Sequence, residues 1–236
     1  MAAVRYIVVM LSFGSLLLLA SSFAAPAVAT APDVVQVKAL VARVQQFYDS
    51  TRDLHAHFDQ QIESSMGSVK RASGDVWLKK GGKMRWDYQK PEKKLMVADG
   101  QMLWVYEPED QQAFKQDMRG STMPLSVAVL VGEAKLAAEF DISAGDVGPI
   151  GTPGPIGPLA EGESALQLVP KAPTVAYHHL VFVVASGTGQ VKQTIIFDHQ
   201  GGKNRMSFSG FELNTGLQDG RFKFSPPVGT KIISPK

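Results

Sequence analysis

GDVWLKKGGKMRWDYQKPEKKLMVADGQMLWVYE, residues Gly74 to Glu107, decides the fold, because nearly every residue in it belongs to a strand or a turn. Met84, Trp86 and Tyr88 alternate with Arg85 and Asp87, the period of two that places the first three on one face of a strand and the charged pair on the other. Turn chemistry separates the pieces: Lys80-Gly81-Gly82-Lys83, then Gln89-Lys90-Pro91-Glu92, then Asp99-Gly100, a strong short hairpin signal. Three hairpins in a row make a meander. The three tryptophans, Trp77, Trp86 and Trp104, lie here with Met84, Met96 and Met102, so the meander carries a large, soft apolar surface.

On the N-terminal side, Leu54, Ala56 and Phe58 alternate with His55, His57 and Asp59 as a further strand. Before it, Val34, Val37, Leu40, Val41, Val44 and Phe47 recur at three- and four-residue spacing, an amphipathic helix with Asp33 as its N-cap. Its polar face carries too few basic residues for a membrane-surface helix, so its apolar stripe belongs on the sheet. At the start of the chain, Arg5 precedes an apolar run from Tyr6 to Leu19, and Ala27-Val28-Ala29 supplies a cleavage site. Residues 1–29 therefore read as a secretory signal peptide cut after Ala29, leaving 30–236 as one exported domain. No Cys follows the run, so the mature N-terminus is not lipidated.

On the C-terminal side, Gln111 to Asp117 reads as another strand. The segment Thr122-Met123-Pro124-Leu125-Ser126-Val127-Ala128-Val129-Leu130-Val131-Gly132 has helix punctuation and is apolar on nearly every face. Glu133 to Phe140 continues as a second short helix, and Gly145 to Gly162 is a Gly/Pro-rich loop. Leu166 to Lys171, His178 to Ala185, Val191 to Asp198 and Arg205 to Leu213 return to strand alternation. The sum is a mainly β chain with some α, an incomplete antiparallel β-barrel of about 11 strands, covered by the N-terminal helix and the short apolar helices.

Catalytic chemistry finds no foothold. The chain has no Cys, no G-x-S-x-G elbow, no Walker loop and no dinucleotide fingerprint. His55 with His57, and His178, His179 and His199, lack the helix or carboxylate spacing of a metal site and read as surface histidines. With 24 Lys+Arg against 22 Asp+Glu there is no polyanion-binding patch, which argues against nucleic acid. No enzyme, cofactor or metal is expected.

Gly74-Asp75-Val76-Trp77, the basic pair Lys79-Lys80, Met84-Arg85-Trp86, and Val97-Ala98-Asp99-Gly100 running to Leu103-Trp104-Val105-Tyr106 resemble the outer-membrane lipoprotein carrier family, LolA. So do Phe58 with Gln60, and the closing Phe222-Lys223-Phe224 with Pro226-Pro227 and Gly229. The likeness runs from Val34 to the C-terminus and is weakest between Asp141 and Gly162. It implies a periplasmic, monomeric chaperone that binds the acyl chains of lipoproteins released by an inner-membrane ABC-transporter complex and delivers them to an outer-membrane receptor. The alternative is a periplasmic lipid- or lipoprotein-sensing regulator of the same fold. By resemblance, Met84, Trp86, Tyr88, Met96, Trp104 and Tyr106 would line the lipid cavity, and Met123, Leu125, Val129 and Leu130 would form the lid. Lys80 stands where the family has a lid-latching Arg, and lacks that residue's planar fork. Met84→Glu would then abolish acyl binding and leave the fold intact.

Overall fold

A computed structural model describes residues 34–118, 128, 134–146 and 156–234. Residues 1–29, the expected signal peptide, and Met123, Leu125, Val129 and Leu130 of the expected lid lie outside the described residues. Helix α1 (Val34–Ser50) comes first. A six-strand meander follows: β1 (Asp53–Glu63), β2 (Val69–Lys79), β3 (Lys83–Lys90), β4 (Lys94–Asp99), β5 (Met102–Glu107) and β6 (Gln112–Asp117). After the short helix α2 (Leu136–Glu139), five strands form a second run: β7 (Phe140–Ala144), β8 (Glu163–Pro170), β9 (His179–Ala185), β10 (Val191–Phe197) and β11 (Lys203–Leu213). Strand β12 (Lys231–Ile233) closes the chain.

All twelve strands belong to one open sheet, ordered β12-β6-β5-β4-β3-β2-β1-β11-β10-β9-β8-β7. The two runs are zipped together by the long antiparallel pairing of β1 with β11. The sequence points to about 11 strands; the twelfth is β12, three residues that add to the edge of β6 in parallel. So short a segment carries no alternation that would announce a strand.

Each expected turn is built as its residues require. Asp99 accepts the backbone N–H groups of Gln101 and Met102 on Oδ1, both at 2.8 Å, and Gly100 takes φ +96°, a conformation open to glycine at no steric cost. Gly74 sits at a register shift between β2 and β3, where a Cβ would run into the Asp87 carbonyl. A side chain there would pry the strands apart.

Two apolar layers result. The inner face is the one on which α1 packs. Strand register places Leu54, Ala56 and Phe58 of β1 beside Leu78, Val76 and Gly74 of β2, and these beside Met84, Trp86 and Tyr88 of β3. Phe208 and Met206 continue the layer through β11, and Phe182, Leu180, Leu166, Leu168, Phe140 and Ile142 through the far strands. Leu40, Val44 and Tyr48 bring α1 onto it at four-residue spacing. The Tyr48 hydroxyl accepts the Val191 N–H at 3.1 Å, which satisfies a donor in the middle of the core. The outer face has its own cover: Ile156 and Leu159 pack on Ala165, Val181 and Ile195, and the C-terminal segment crosses β2 to β5.

Candidate functional site

The six expected wall residues divide between the two faces. Met84, Trp86 and Tyr88 point inward and are already sealed, at 3%, 6% and 8% exposure. Phe58, fully buried, stands edge-on to both rings, 5.2 Å from Trp86 and 4.9 Å from Tyr88. Met96 pairs with Trp86 and packs partly buried against the same cluster. Trp104 and Tyr106 do not join them. Val97 pairs with Trp104 and Leu95 with Tyr106, on the face that carries Arg85 and Asp87, and both rings lie against Phe224, at 5.8 and 5.3 Å. They are outer-face residues under the C-terminal segment, because Leu103 and Val105 take the inward places on β5.

Burial also changes the meaning of a probe at Met84. A glutamate at a position 3% exposed carries a charge into an apolar layer, so it breaks the fold as well as any binding there.

Lys80, the expected latch, reaches α1. Lys80 Nζ donates to the Asp49 carbonyl at the C-terminal end of α1, where the helix presents unpaired carbonyls to a cation. Lys135, just before α2, grips the Asp49 carboxylate at 2.7 and 3.0 Å, and this hydrogen bond holds the carboxyl below its ordinary range. Gln45 completes the clamp: its Oε1 accepts the Leu136 N–H at 2.9 Å and its Nε2 donates to Asp49 at 2.9 Å. Within residues 119–133, where the lid is expected, Ala128 is the described residue; it is buried in the inner cluster, and its carbonyl accepts the Ala134 N–H at 3.2 Å. Asp49, Gln45 and Lys135 escaped the sequence reading. Their roles depend on the return of the chain to α1 over some ninety positions, and no local pattern encodes that.

Open space lies elsewhere. A cleft of about 570 Å³ runs between α1 and the β7 edge, walled by Val37, Val41, Ala42, Phe140 and Ile142. A second, of about 500 Å³, lies on the other side of Val37 and is walled by that residue, Leu40, Ala144, Leu159 and Leu166. A third, of about 480 Å³, opens beyond Tyr88 and is ringed by Lys70, Arg71, Lys93, Lys94, Glu107 and Glu109. It is polar where the other two are apolar.

The histidines have ordinary partners. His55 stacks on Trp77 at 4.8 Å and lies 3.4 Å from both Asp75 and Glu212. His178 and His179 share a 2.8 Å contact between their Nδ1 atoms, and burial, with His178 beside it, pushes His179 below its ordinary value. Among the described residues no group of three or more His, Asp or Glu is arranged to hold a metal ion.

Residues 49–152 match the family described as "Outer membrane lipoprotein carrier protein LolA". An outer-membrane lipoprotein carrier protein of Dechloromonas aromatica (strain RCB) is 30% identical over 194 residues, 82% of this chain and 86% of the relative. The chain belongs to the LolA family. The carrier protein of Chromobacterium violaceum is 27% identical over 216 residues, 92% of this chain and 93% of that one. Among solved structures, an uncharacterised conserved protein from Thermus thermophilus superposes with a TM-score of 0.50 at 12% identity, over 84% of this chain and 98% of its own. That likeness speaks to the fold alone. The LolA-like tail now has a physical reading: Phe222 is buried, and Phe224 covers Trp104 and Tyr106 of the equally LolA-like hairpin. The two motifs are halves of one outer-face contact.

Proposed function

We propose that the protein is a periplasmic carrier that holds the acyl chains of lipoproteins leaving the inner membrane and hands them to a receptor at the outer membrane. In this reading residues 1–29 are removed on export, residues 30–236 act as a single monomeric domain, and no bond is made or broken by the carrier. An inner-membrane ABC-transporter complex supplies the cargo.

The observation that carries the reading is an apolar inner face with a helix laid over it and Ala128 of the segment 119–133 buried against it, in a chain of the LolA family. Acyl chains need such a surface, since each buried methylene is worth about 0.8 kcal/mol and the full length of several chains would bind too tightly to release. A carrier escapes this if its empty state already buries its own wall. The inner cluster as a whole is buried in that way, from Met84 and Trp86 to Leu40 of α1 and Leu166 of β8. Loading then exchanges internal contacts for contacts with cargo, and the net affinity stays moderate enough for transfer.

The test is to isolate the protein from the periplasm, identify what co-purifies by mass spectrometry, and offer the loaded protein to outer-membrane vesicles. Intact lipopeptide that moves to the vesicles is the expected result. Deacylated product would mean hydrolysis, and bound lipid that never transfers would mean sensing; either outcome removes the carrier reading.

A further inference from the structure

The sheet surface expected to hold the ligand is filled by its own side chains, yet two apolar clefts stand open beside α1. They share one wall, Val37, and meet under the N-terminal half of the helix. The helix is fastened unevenly. Its C-terminal half is pinned by buried Val44 and Tyr48, by the Tyr48–Val191 hydrogen bond, and by Lys80 and Lys135 on Asp49. At its N-terminal end Val35 is 69% exposed. We infer that aliphatic chains bind in these two clefts, on either side of Val37 and between α1 and strands β7 and β8, and not against the aromatic wall of β3 and β4.

The inference rests on the carrier reading and adds where the cargo sits. Each cleft, at about 570 and about 500 Å³, falls within the range of small-ligand pockets and is walled mainly by aliphatic side chains. The inner-facing Phe140 and Ile142 lie near the open edge of the sheet, so a chain can enter sideways without displacing Trp86 or Phe58. Lys38 and Asp141 both line the first cleft, so an ammonium and a carboxylate are at hand for the polar end of an acylated ligand. Two clefts parted by one side chain suit a head bearing two tails. Before buried Leu40, residues 35–39 are exposed or half-buried, so the clefts can widen at the first turn of the helix without unfolding the core.

Photoreactive palmitate, bound to the protein isolated from the periplasm and cross-linked by light, tests this directly when the labelled residues are mapped by mass spectrometry. Label is expected on residues 35–42, 140–144 and 159–166. Ala42 is exposed on the rim, so Ala42→Trp narrows the first cleft without repacking the core, and Val37→Trp fills the shared wall. Each variant should bind palmitate about tenfold more weakly, the loss expected when roughly two methylenes are kept out of contact. Label confined to residues 84–103, with Ala42→Trp binding like the parent, overturns the inference and leaves the carrier reading standing. No label on the parent protein removes both. A lipid-free dimer whose formation blocks labelling would assign the clefts to a second copy, which also overturns it.

Discussion

The inner and outer faces of the β2 to β5 meander are both aromatic, but they are held together by different physics. On the inner face Phe58, Trp86, Tyr88 and Met84 come from β1 and β3 and close into a buried layer with β11 and α1. On the outer face Trp77, Trp104 and Tyr106 are roofed by a single passing segment. Arg221 lies over Trp77 at 4.7 Å, Phe224 lies against the other two rings, and Asp219 is held by Lys79 at 2.6 Å and Lys83 at 2.8 Å. One face is a core, the other a strapped surface. Aromatic richness alone therefore does not mark a binding wall.

The sharpest way to break this contrast is Phe58→Ala. The ring is fully buried between two other rings, so its removal leaves a cavity that β1 cannot collapse without losing β11, and should cost about 3–5 kcal/mol. Urea denaturation measures it; a cost under about 1 kcal/mol would mean that the inner layer is not a core. Tyr48→Phe comes next. It keeps the ring and removes the acceptor for the Val191 N–H, leaving a buried donor unpaired, a loss of about 1–3 kcal/mol. Burial of that hydroxyl raises its pKa far above the ordinary value, with the Val191 bond opposing more weakly, so no titration of Tyr48 complicates measurement near neutral pH.

Phe224→Ala belongs to the outer face and should cost less, about 1–2 kcal/mol, because the ring is only partly covered and touches two other partly covered rings. It should also raise the fluorescence sensitivity of Trp104 to a soluble quencher while leaving acyl binding unchanged. Equal losses from Phe58→Ala and Phe224→Ala would erase the distinction between the faces.

Much of this was legible beforehand. The alternation through Met84, Trp86 and Tyr88, the three turns and the amphipathic stripe of α1 each reflect a local rule, and each appears where the rule puts it. The misplacement of Trp104 and Tyr106 has a definite cause. Strand β5 reads Met102-Leu103-Trp104-Val105-Tyr106, apolar on both faces, so periodicity cannot choose an inward side. The turn could have chosen. A tight Asp99-Gly100 turn would pair Ala98 with Gln101 and the observed one pairs it with Leu103; both set odd-numbered β5 residues beside inward Ala98 and Met96 and send Trp104 outward. The clefts at α1 were less accessible, since they arise where the first helix meets the edge strand β7, some ninety positions away in the chain. The β12 pairing was hidden by its length.

The smallest expected effect is also the most specific to the strap. Two ammonium groups, Lys79 first and then Lys83, hydrogen-bond Asp219 and draw its pKa from the ordinary 3.8 down to about 2. A carboxyl whose folded pKa is depressed contributes stability while it is ionised in both states, above about pH 4. It loses that contribution as pH falls toward 2, where the folded form must also take up a proton. Asp219→Asn should therefore leave the inner core intact, lower the melting temperature slightly at neutral pH, and flatten the decline in stability across that acid window. The pair is exposed, so salt should weaken it in the parent protein and have no corresponding effect in the variant. If the acid profile of the variant matched that of the parent, the Asp219 carboxylate would not be fastening the strap, and its hold would rest on buried Phe222, on Phe224 and Arg221, and on the Leu217 and Arg221 carbonyls that Lys79 and Arg85 reach.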